Sequence, residues 1–236
     1  MLKPDAKIVV LTGAGMSAES GVPTFRGQDG LWEGHRIEEV ATPEAFAANP
    51  RLVQHFYNLR RGALKRVVPN AGHDALVRLE REWPGDFLLV TQNVDDLHER
   101  AGSEKLVHMH GELRKVRCGH CESVHPWSDD LATETPCPAC AETGGLRPHI
   151  VWFGEVPFEM EAIVGALTEC DLFLAIGTSG VVYPAAGFAT MAALRKGCRL
   201  IELNLESTEI SPLFHEHRVG PVSQTLPTLV DALLAI

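Results

Sequence analysis

Short apolar runs alternate with longer amphipathic stretches along most of the chain. The runs are mainly aliphatic and aromatic, as in strands buried on both faces. They lie at residues 7–12, 87–91, 150–153, 171–176 and 199–203. Stretches with helical periodicity lie at residues 50–67, 71–82, 184–196 and 227–234. This alternation predicts a doubly wound α/β fold, a parallel sheet with helices on both faces and ligands at the carboxyl ends of its strands.

One stretch, residues 114–147, lacks this periodicity and is too long for a structureless loop in a compact domain. It contains two C-x-x-C pairs, Cys118 with Cys121 and Cys137 with Cys140, separated by fifteen residues. This spacing is typical of a zinc ribbon. Four thiolates at about 2.3 Å would close the coordination shell, so the predicted zinc is structural. Two disulfides are one alternative, which a cytosolic context disfavours. A redox C-x-x-C motif is the other, which is disfavoured because such motifs do not come in matched pairs.

Composition excludes several classes of protein. No apolar run of the 236 residues approaches the roughly 18 that a spanning helix needs, and the first residues lack a secretory signal pattern. We therefore expect a cytoplasmic protein with no membrane association. The 31 acidic residues outnumber the 21 Lys and Arg, giving a net charge of −10, so we expect no direct binding to nucleic acid.

A glycine-rich turn follows the first predicted strand. Gly13, Gly15 and Ala18 fit the G-x-G-x-x-A pattern that lets backbone approach the pyrophosphate of a dinucleotide. A tight strand-to-helix turn without a ligand is the alternative. Residues 20–32 then form a loop rich in glycine with aromatic and arginine residues, which we predict to be a lid.

Polar segments follow three later strands, at residues 92–96, 177–180 and 204–206. No acidic residue stands about twenty positions after the glycine turn at the end of a second strand, where a usual NAD fold binds the ribose. Glu206 is a substitute carboxylate. Asp95 could accept from a nicotinamide amide, although capping of the next helix by Asp95 or Asp96 is an equal alternative. We expect these strand ends to converge on one cleft.

Two histidines, His108 and His110, stand at period two in a segment that we predict to be extended. Such a pair alone is more often structural than catalytic, and we expect no second metal there.

Together these segments resemble the sirtuins, NAD-dependent protein lysine deacylases. The resemblance covers nearly the whole chain, in family order and spacing. Its motifs are GAGMSAESGVPTFR at residues 13–26, TQNVD at 91–95, HMHG at 108–111, the four cysteines, VWFGE at 151–155, GTS at 177–179 and NLE at 204–206.

The resemblance implies a Rossmann-like NAD-binding domain with a small inserted zinc-binding module. The Rossmann-like part would comprise residues 1–34, 68–112 and 148–236. Residues 35–67 would be a helical insertion of the small domain, and residues 113–147 its zinc ribbon. NAD as co-substrate and acylated-lysine proteins or peptides would meet between the two parts.

By family position, His110 would be the general base and Asn93 a second catalytic residue. The acyl group would pass from lysine to ADP-ribose as nicotinamide leaves. The resemblance places cofactor contacts on Gly13, Ala14, Gly15, Ala18, Glu19, Thr24, Phe25, Arg26, Trp32, Gln92, Asn93, Asp95, Gly177, Thr178, Ser179, Asn204, Leu205, Glu206 and Val222.

Tyr57 and Arg60 narrow the range of acyl groups that we expect the protein to accept. They stand at i and i+3 on a predicted helix. With Ala41 they resemble the Y-x-x-R signature of the class III, desuccinylase-like sirtuins. A guanidinium can take a distal carboxylate bidentately. The alternative is a solvated helix face that Arg60 shares with Arg61 and Lys65.

For the substrate peptide, we expect addition as a strand beside residues 151–155 and 180–183. The residues expected to contact it are Val151, Phe153, Gly154, Glu155, Val181 and Tyr183. An NAD-dependent dehydrogenase with a structural zinc is a rival, disfavoured by the missing ribose acid. ADP-ribosyl transfer to protein is a second rival within the same fold.

Overall fold

A computed structural model describes residues 2–24 and 34–236. The strands are β1 (Ile8–Thr12), β2 (Phe87–Thr91), β3 (Leu106–His108), β4 (Gly111–Cys118), β5 (Val124–Pro126), β6 (Leu146–Ile150), β7 (Leu172–Ile176), β8 (Arg199–Asn204) and β9 (Glu216–Val219). The helices are α1 (Gly15–Ala18), α2 (Ile37–Val40), α3 (Pro43–Ala48), α4 (Pro50–Ala63), α5 (Ala71–Glu82), α6 (Leu97–Ala101), α7 (Met160–Glu169), α8 (Phe188–Leu194) and α9 (Val222–Leu234).

Six strands form one parallel sheet in the order β3-β2-β1-β7-β8-β9. Thr12, the last residue of β1, stands beside Thr91 of β2 and Ile176 of β7. Because these three strands end at the same level, the segments that follow them share one edge of the sheet. That edge is where a doubly wound sheet binds ligands.

Helices cover both faces of this sheet. Ile8 and Val10 of β1 lie in a core cluster with residues of α5 and α9, whereas Val9 and Leu11 lie in a second cluster with residues of α7 and α8. All five residues of β1 are buried, as the unbroken apolar run predicts. The predicted doubly wound α/β fold is confirmed.

A second, smaller sheet is antiparallel and has the order β5-β4-β6. A core cluster joins α2, α3 and α4 to Leu113, Ile150 and Trp152. The cluster at the far end of β4 holds five buried residues, and two of them are Cys118 and Cys137. So small a core fits the prediction that residues 114–147 need another source of stability. The division of the chain into domains at the stated boundaries stays a prediction.

The apolar run at residues 150–153 is not a strand of the parallel sheet, contrary to the sequence prediction. The strand there is β6, which ends at Ile150 and pairs antiparallel with β4. Trp152 is buried instead against α2, α3 and α4, which with the antiparallel sheet make up the small part of the molecule. A short apolar run looks the same in sequence whether it is a strand or a buried loop.

Several predicted boundaries also shift. The helix predicted at residues 50–67 ends as α4 at Ala63 and continues as a 3₁₀ turn to Arg66. The helix predicted to begin at Pro227 begins five residues earlier, at Val222, and contains that proline. The edge strands β3 and β9 were not predicted, since three or four residues are too few to show a pattern. Among residues 2–24 and 34–236, no helix is long and apolar enough to span a bilayer.

Candidate active site

Two glycine turns touch at the carboxyl edge of the sheet. A Cβ placed on Gly13 would lie 2.7 Å from the carbonyl oxygen of Gly177. The Gly15 N–H donates to that same oxygen at 2.8 Å. Gly177 has a φ of +60°, and a Cβ there would lie 2.5 Å from the Met16 nitrogen. Glycine is thus required where the turns after β1 and β7 meet, and bare backbone lines the edge.

Side chains from three strand ends are connected through Thr178. Gln92 Nε2 donates to Thr178 Oγ1 at 3.0 Å, and Asn204 Nδ2 donates to the Thr178 carbonyl at 2.9 Å. The predicted convergence of these segments is therefore seen in the structure.

Asn93 is held tightly at the end of β2. Its Nδ2 donates to the Gly13 carbonyl at 3.0 Å and to Ser17 Oγ at 3.2 Å, and its backbone N–H donates to Thr91 Oγ1 at 3.0 Å. Because protein groups take the amide hydrogens, Oδ1 is the atom that Asn93 can offer to a ligand or water. Ser17 lies inside the glycine-turn pattern, but that pattern leaves its position open to any residue and so did not single it out.

Asp95 is buried beside the same serine. Burial raises the pKa of Asp95, while hydrogen bonds from the Leu97 N–H, at 3.1 Å, and from Ser17 oppose that rise. The bond to Leu97, the first residue of α6, shows that the capping alternative is partly right for Asp95. Asp96 makes no side-chain capping bond. A role of Asp95 toward nicotinamide stays a prediction.

The two histidines have opposite electrostatic environments. His108 lies 3.2 Å from the Asn93 carbonyl through Nδ1 and 2.8 Å from Glu99 Oε1 through Nε2. Both acceptors require an N–H, which describes an imidazolium. Burial lowers the pKa of His108, but the hydrogen bond and charge of Glu99 more than offset this, and the net shift is upward.

His110 has the opposite environment, in which burial dominates. Its Nδ1 lies 3.2 Å from the Gln92 carbonyl, which can only accept, so the proton sits on Nδ1 and Nε2 carries a lone pair. Burial lowers the pKa of His110 below 6.5, opposed in part by that hydrogen bond. The chain therefore offers one histidine base and one histidine cation two residues apart.

A further histidine pair, His73 and His98, lies next to the last residues of β1 and β2, and no sequence pattern pointed to it. His98 Nε2 is 3.1 Å from Thr12 Oγ1, which donates to Thr91 Oγ1 at 2.8 Å. The His73 and His98 rings are 4.9 Å apart. His73 Nε2 and His98 Nδ1 have no hydrogen-bond partner among the described residues. Burial lowers the pKa of His73 to about 4 and that of His98 well below 6.5.

This pair predicts a loss of stability in mild acid. The unfolded chain binds a proton at each histidine near pH 6.5 while the native chain does not, so stability is complete above that pH and falls below it. For His73 the window runs down to about pH 4, and the loss is about 3 kcal/mol. His73→Gln keeps an acceptor for the Asn70 N–H and should flatten the dependence, measured by urea unfolding at several pH values. The exposed His55→Gln is the matched control, and equal slopes in both variants would contradict the prediction.

Two predicted cofactor residues are used by the protein itself. Glu19 accepts from the Ser223 N–H at 3.0 Å and so connects the end of α1 to the start of α9. The Val222 side chain is 2% exposed and packs in the sheet core, which leaves only its backbone for a ligand.

The other predicted cofactor residues have mixed exposure. Ala14 precedes the four-residue helix α1 and Ala18 ends it, and both are half-buried. The exposed members are Thr24, Ser179, Leu205 and Glu206. Phe25, Arg26 and Trp32, with most of the predicted lid, lie outside the described residues.

The predicted acyl-binding residues lie in one region of the small part. Tyr57 is fully buried on α4, and the Arg60 guanidinium carbon is 6.0 Å from the Tyr57 ring centre. Ala41 is buried, and its carbonyl accepts from the Phe153 N–H at 3.0 Å. Trp152 Nε1 donates to the Tyr57 hydroxyl at 2.9 Å. The structure thus joins α4, Ala41 and the VWFGE segment.

The alternative of a solvated basic helix face is wrong for Arg61. This residue is 1% exposed and donates to the Leu113 carbonyl and to Asn58 Oδ1, both at 2.8 Å. Burial lowers its pKa to about 10. Arg61 therefore connects α4 to β4, whereas Lys65 is exposed.

Residues 151–155 are not extended throughout, contrary to expectation. The segment turns after Trp152, and N–H groups of Val151, Phe153 and Glu155 already donate to the carbonyls of His110, Ala41 and Trp152. These N–H groups cannot also pair with an added strand. Residues 180–183 are not extended either, because they bend at Gly180, whose φ is +68°, and turn at Tyr183. The peptide-strand hypothesis therefore rests on the exposure of this segment, where Val181 is 41% and Tyr183 79% exposed.

Glu155, predicted to contact substrate, is instead held by protein cations. Its carboxylate accepts from Arg117 Nη2 and Arg147 Nη1, both at 2.7 Å, and from the Trp152 N–H at 2.8 Å. These bonds fix the turn of the VWFGE segment.

The four cysteines form a compact cluster. The Sγ atoms of Cys118 and Cys140 are 3.8 Å apart, as are those of Cys121 and Cys137, and all four lie within 4.8 Å of one another. Four thiolates arranged tetrahedrally at about 2.3 Å from zinc would be separated by about 3.8 Å. The donor set and spacing therefore fit a structural zinc ion.

Predictions from the sequence also cover two further cysteines, Cys170 and Cys198, and two histidines near the cluster, His120 and His125. Cys170 and Cys198 are buried, as predicted for small core residues. His120 is exposed as expected, but His125 is half-buried, with Nε2 2.9 Å from Ser123 Oγ and 3.9 Å from Cys137 Sγ. His125 therefore lies next to the cysteine cluster rather than in plain solvent.

Comparison with known proteins places the chain in a family. The Sir2 family model matches residues 13–184, which include the glycine turn, both histidines and all four clustered cysteines. The chain belongs to the Sir2 family.

Its Sir2 relatives match along nearly their whole length. An NAD-dependent protein deacylase of Bdellovibrio bacteriovorus is 60% identical over 229 residues, 96% of each chain. A solved Sir2 homologue–NAD complex has a TM-score of 0.88 at 39% identity, covering 98% of this chain and 90% of the other. A structure of Sir2 bound to acetylated peptide has a TM-score of 0.81 at 27% identity, covering 96% and 92%. The sirtuin resemblance of the motifs is confirmed.

Proposed function

We propose that this Sir2-family chain is an NAD-dependent protein lysine deacylase that removes succinyl and related dicarboxylic acyl groups as well as acetyl. The observation that carries the deacylase activity is the contact of His110 Nδ1 with the Gln92 carbonyl just after β2, which leaves Nε2 to act as the base. The Bdellovibrio relative, identical at 60% of positions, is named for this activity. A cytoplasmic location, acylated-protein substrates and a peptide strand beside residues 180–183 belong to the proposal.

The residues at the strand ends fit a dinucleotide. Bare backbone at Gly13, Gly15 and Gly177 allows close approach of a pyrophosphate, and Asn204 adds a polar group at the end of β8. Asn93 Oδ1 and the buried Asp95 carboxyl, both just after β2, would accept hydrogen bonds from the ribose and the nicotinamide amide. When bound, NAD supplies the ribose carbon and hydroxyls that accept the acyl group.

His110 would act by proton transfer at Nε2. The Gln92 carbonyl fixes its tautomer and its ring orientation, so the free nitrogen can take a proton from a ribose hydroxyl. Its lowered pKa keeps the ring neutral at pH 7. His108 is unsuited to this role because both of its ring nitrogens lie on acceptors, the Asn93 carbonyl and Glu99 Oε1.

The acyl preference rests on Arg60 and Tyr57. A succinyl-lysine ends in a carboxylate that must lose water to enter an apolar channel, which is costly unless a cation receives it. Arg60 provides the cation, and buried Ala41 leaves room. Burial raises the pKa of Tyr57 to about 12, so its hydroxyl stays protonated as a donor.

Arg60→Met should lower kcat/KM for succinyl peptides by about one to two powers of ten, since a charge-assisted hydrogen bond contributes roughly 1.5–3 kcal/mol. Deacetylation should fall far less. Mass spectrometry of products from matched acetyl and succinyl peptides with NAD measures both rates.

Lys65→Met is the matched control, because it removes an exposed cation from the turn that follows α4. It should leave the succinyl-to-acetyl ratio unchanged. Equal losses on both substrates in Arg60→Met would show that Arg60 is structural. NADH formation without deacylation would favour a dehydrogenase, and labelled protein would reveal ADP-ribosyl transfer.

A further inference from the structure

Trp152 lies behind the proposed acyl-binding tyrosine. It is 2% exposed, its ring centre is 6.3 Å from that of Tyr57, and its Nε1 donates to the Tyr57 hydroxyl at 2.9 Å. Both polar groups are buried, and each satisfies the hydrogen-bonding capacity of the other.

The indole is itself fixed from several directions. The Arg147 guanidinium carbon lies 3.3 Å from its ring centre, and Phe46 packs at 5.4 Å. The Trp152 backbone N–H donates to Glu155 Oε2, and Arg147 binds both oxygens of that carboxylate, at 2.7 and 3.0 Å. Arg147 and Glu155 thus hold the Trp152 ring and backbone in one orientation.

The direction of the hydrogen bond has a chemical consequence. An indole N–H can only donate, so the Tyr57 oxygen is the acceptor and the phenol's own proton points away from Trp152. Accepting one hydrogen bond also strengthens a hydroxyl as a donor in the next. Trp152 therefore sets the Tyr57 hydroxyl as a donor away from the indole, and the Arg60 guanidinium carbon lies 6.0 Å from the Tyr57 ring centre.

We infer that Trp152 is a positioning residue for dicarboxylic acyl groups: its N–H orients the Tyr57 hydroxyl to donate to the distal carboxylate. This inference rests on the proposed function. Trp152 itself need not touch the acyl carboxylate, because it acts through Tyr57. An acetyl group has no distal carboxylate and gains nothing from this orientation.

Trp152→Phe removes the N–H and keeps an aromatic ring. The expected result is a roughly 2- to 10-fold fall in the ratio of kcat/KM for succinyl over acetyl peptides, the range for one neutral hydrogen bond. Replacing Trp152 with 3-benzothienylalanine, which keeps the two-ring shape and lacks the N–H, should give the same fall. This analogue covers the case in which the smaller phenylalanine ring leaves a cavity and unfolds the protein.

A double-mutant cycle separates positioning from packing. Tyr57→Phe should lower the ratio, and Trp152→Phe added to it should lower the ratio no further, because the shared hydroxyl is already gone. A further fall of the same size in the Tyr57→Phe background would overturn the inference.

The outcomes also separate this inference from the proposed function. A wild-type enzyme without NAD-dependent desuccinylation would refute the dicarboxylic part of the proposed function, and the inference with it. A wild-type desuccinylase whose ratio is unaffected by the benzothienyl analogue would leave the proposed function standing and refute the inference alone.

Discussion

His110→Ala should lower the deacylation rate by about 10²–10⁴, the usual loss on removing a positioned general base. The lone pair on Nε2 is the reason, because the Nδ1 proton is already directed to the Gln92 carbonyl. Single-turnover rates on an acetyl peptide with saturating NAD measure this loss. The fold should survive, since the ring makes this one side-chain hydrogen bond among the described residues.

The pH profile gives an independent check of the same base. The pKa of His110 is lowered by burial, so the wild-type rate should stay high at pH 6.5 and fall at lower pH as the ring gains a proton. His108→Ala should lower stability more than rate, because it breaks the contacts to Glu99 and to the Asn93 carbonyl. If His108→Ala abolished deacylation while His110→Ala left it near the wild-type level, the assignment would be wrong.

Removal of zinc should unfold the small antiparallel sheet, because the cluster there has five buried residues and two of them are cysteines. Structural zinc sites contribute about 10–16 kcal/mol of apparent binding free energy at neutral pH, far more than so small a core. We expect one zinc per chain by elemental analysis and none in Cys118→Ser/Cys137→Ser. Hydrogen exchange should then show lost protection in β4, β5 and β6, with the centre of the parallel sheet still protected.

Cys198→Ala is the matched control, because it removes a buried cysteine remote in sequence from the cluster and should leave the zinc content at one per chain. Purified protein that has reduced thiols, lacks zinc and keeps protection in the small sheet would refute the structural zinc.

The parallel sheet was predictable because its strands are buried on both faces. The runs that became β1, β2 and β7 are almost wholly apolar, and a continuous apolar run between turn residues has few other structures. β8 is apolar at three of its six residues. The strand prediction at residues 150–153 was wrong because these residues are apolar for a different reason, burial in the core of the small antiparallel sheet and its helices. Trp152 is buried because it packs against α4, not because it belongs to a strand.

Spacing determined the cysteine cluster and the pair Tyr57 and Arg60. The spacing of two C-x-x-C pairs is typical of a zinc ribbon, and i,i+3 positions share a helix face wherever the helix lies. The family motifs in turn located the candidate site residues in sequence. Folding then brought the two cysteine pairs together, with Sγ contacts between residues 16 and 22 positions apart.

The protonation states were decided by tertiary structure alone. His108 and His110 are the same residue type two positions apart, but Glu99 from α6 raises the pKa of the first, whereas burial lowers the pKa of the second against the opposing hydrogen bond to the Gln92 carbonyl. The same holds for Arg60 and Arg61, neighbours of which the second is buried against β4. A side chain's charge and orientation depend on groups that folding brings from elsewhere in the chain, so the sequence determined which residues were candidates and the tertiary structure decided what each can do.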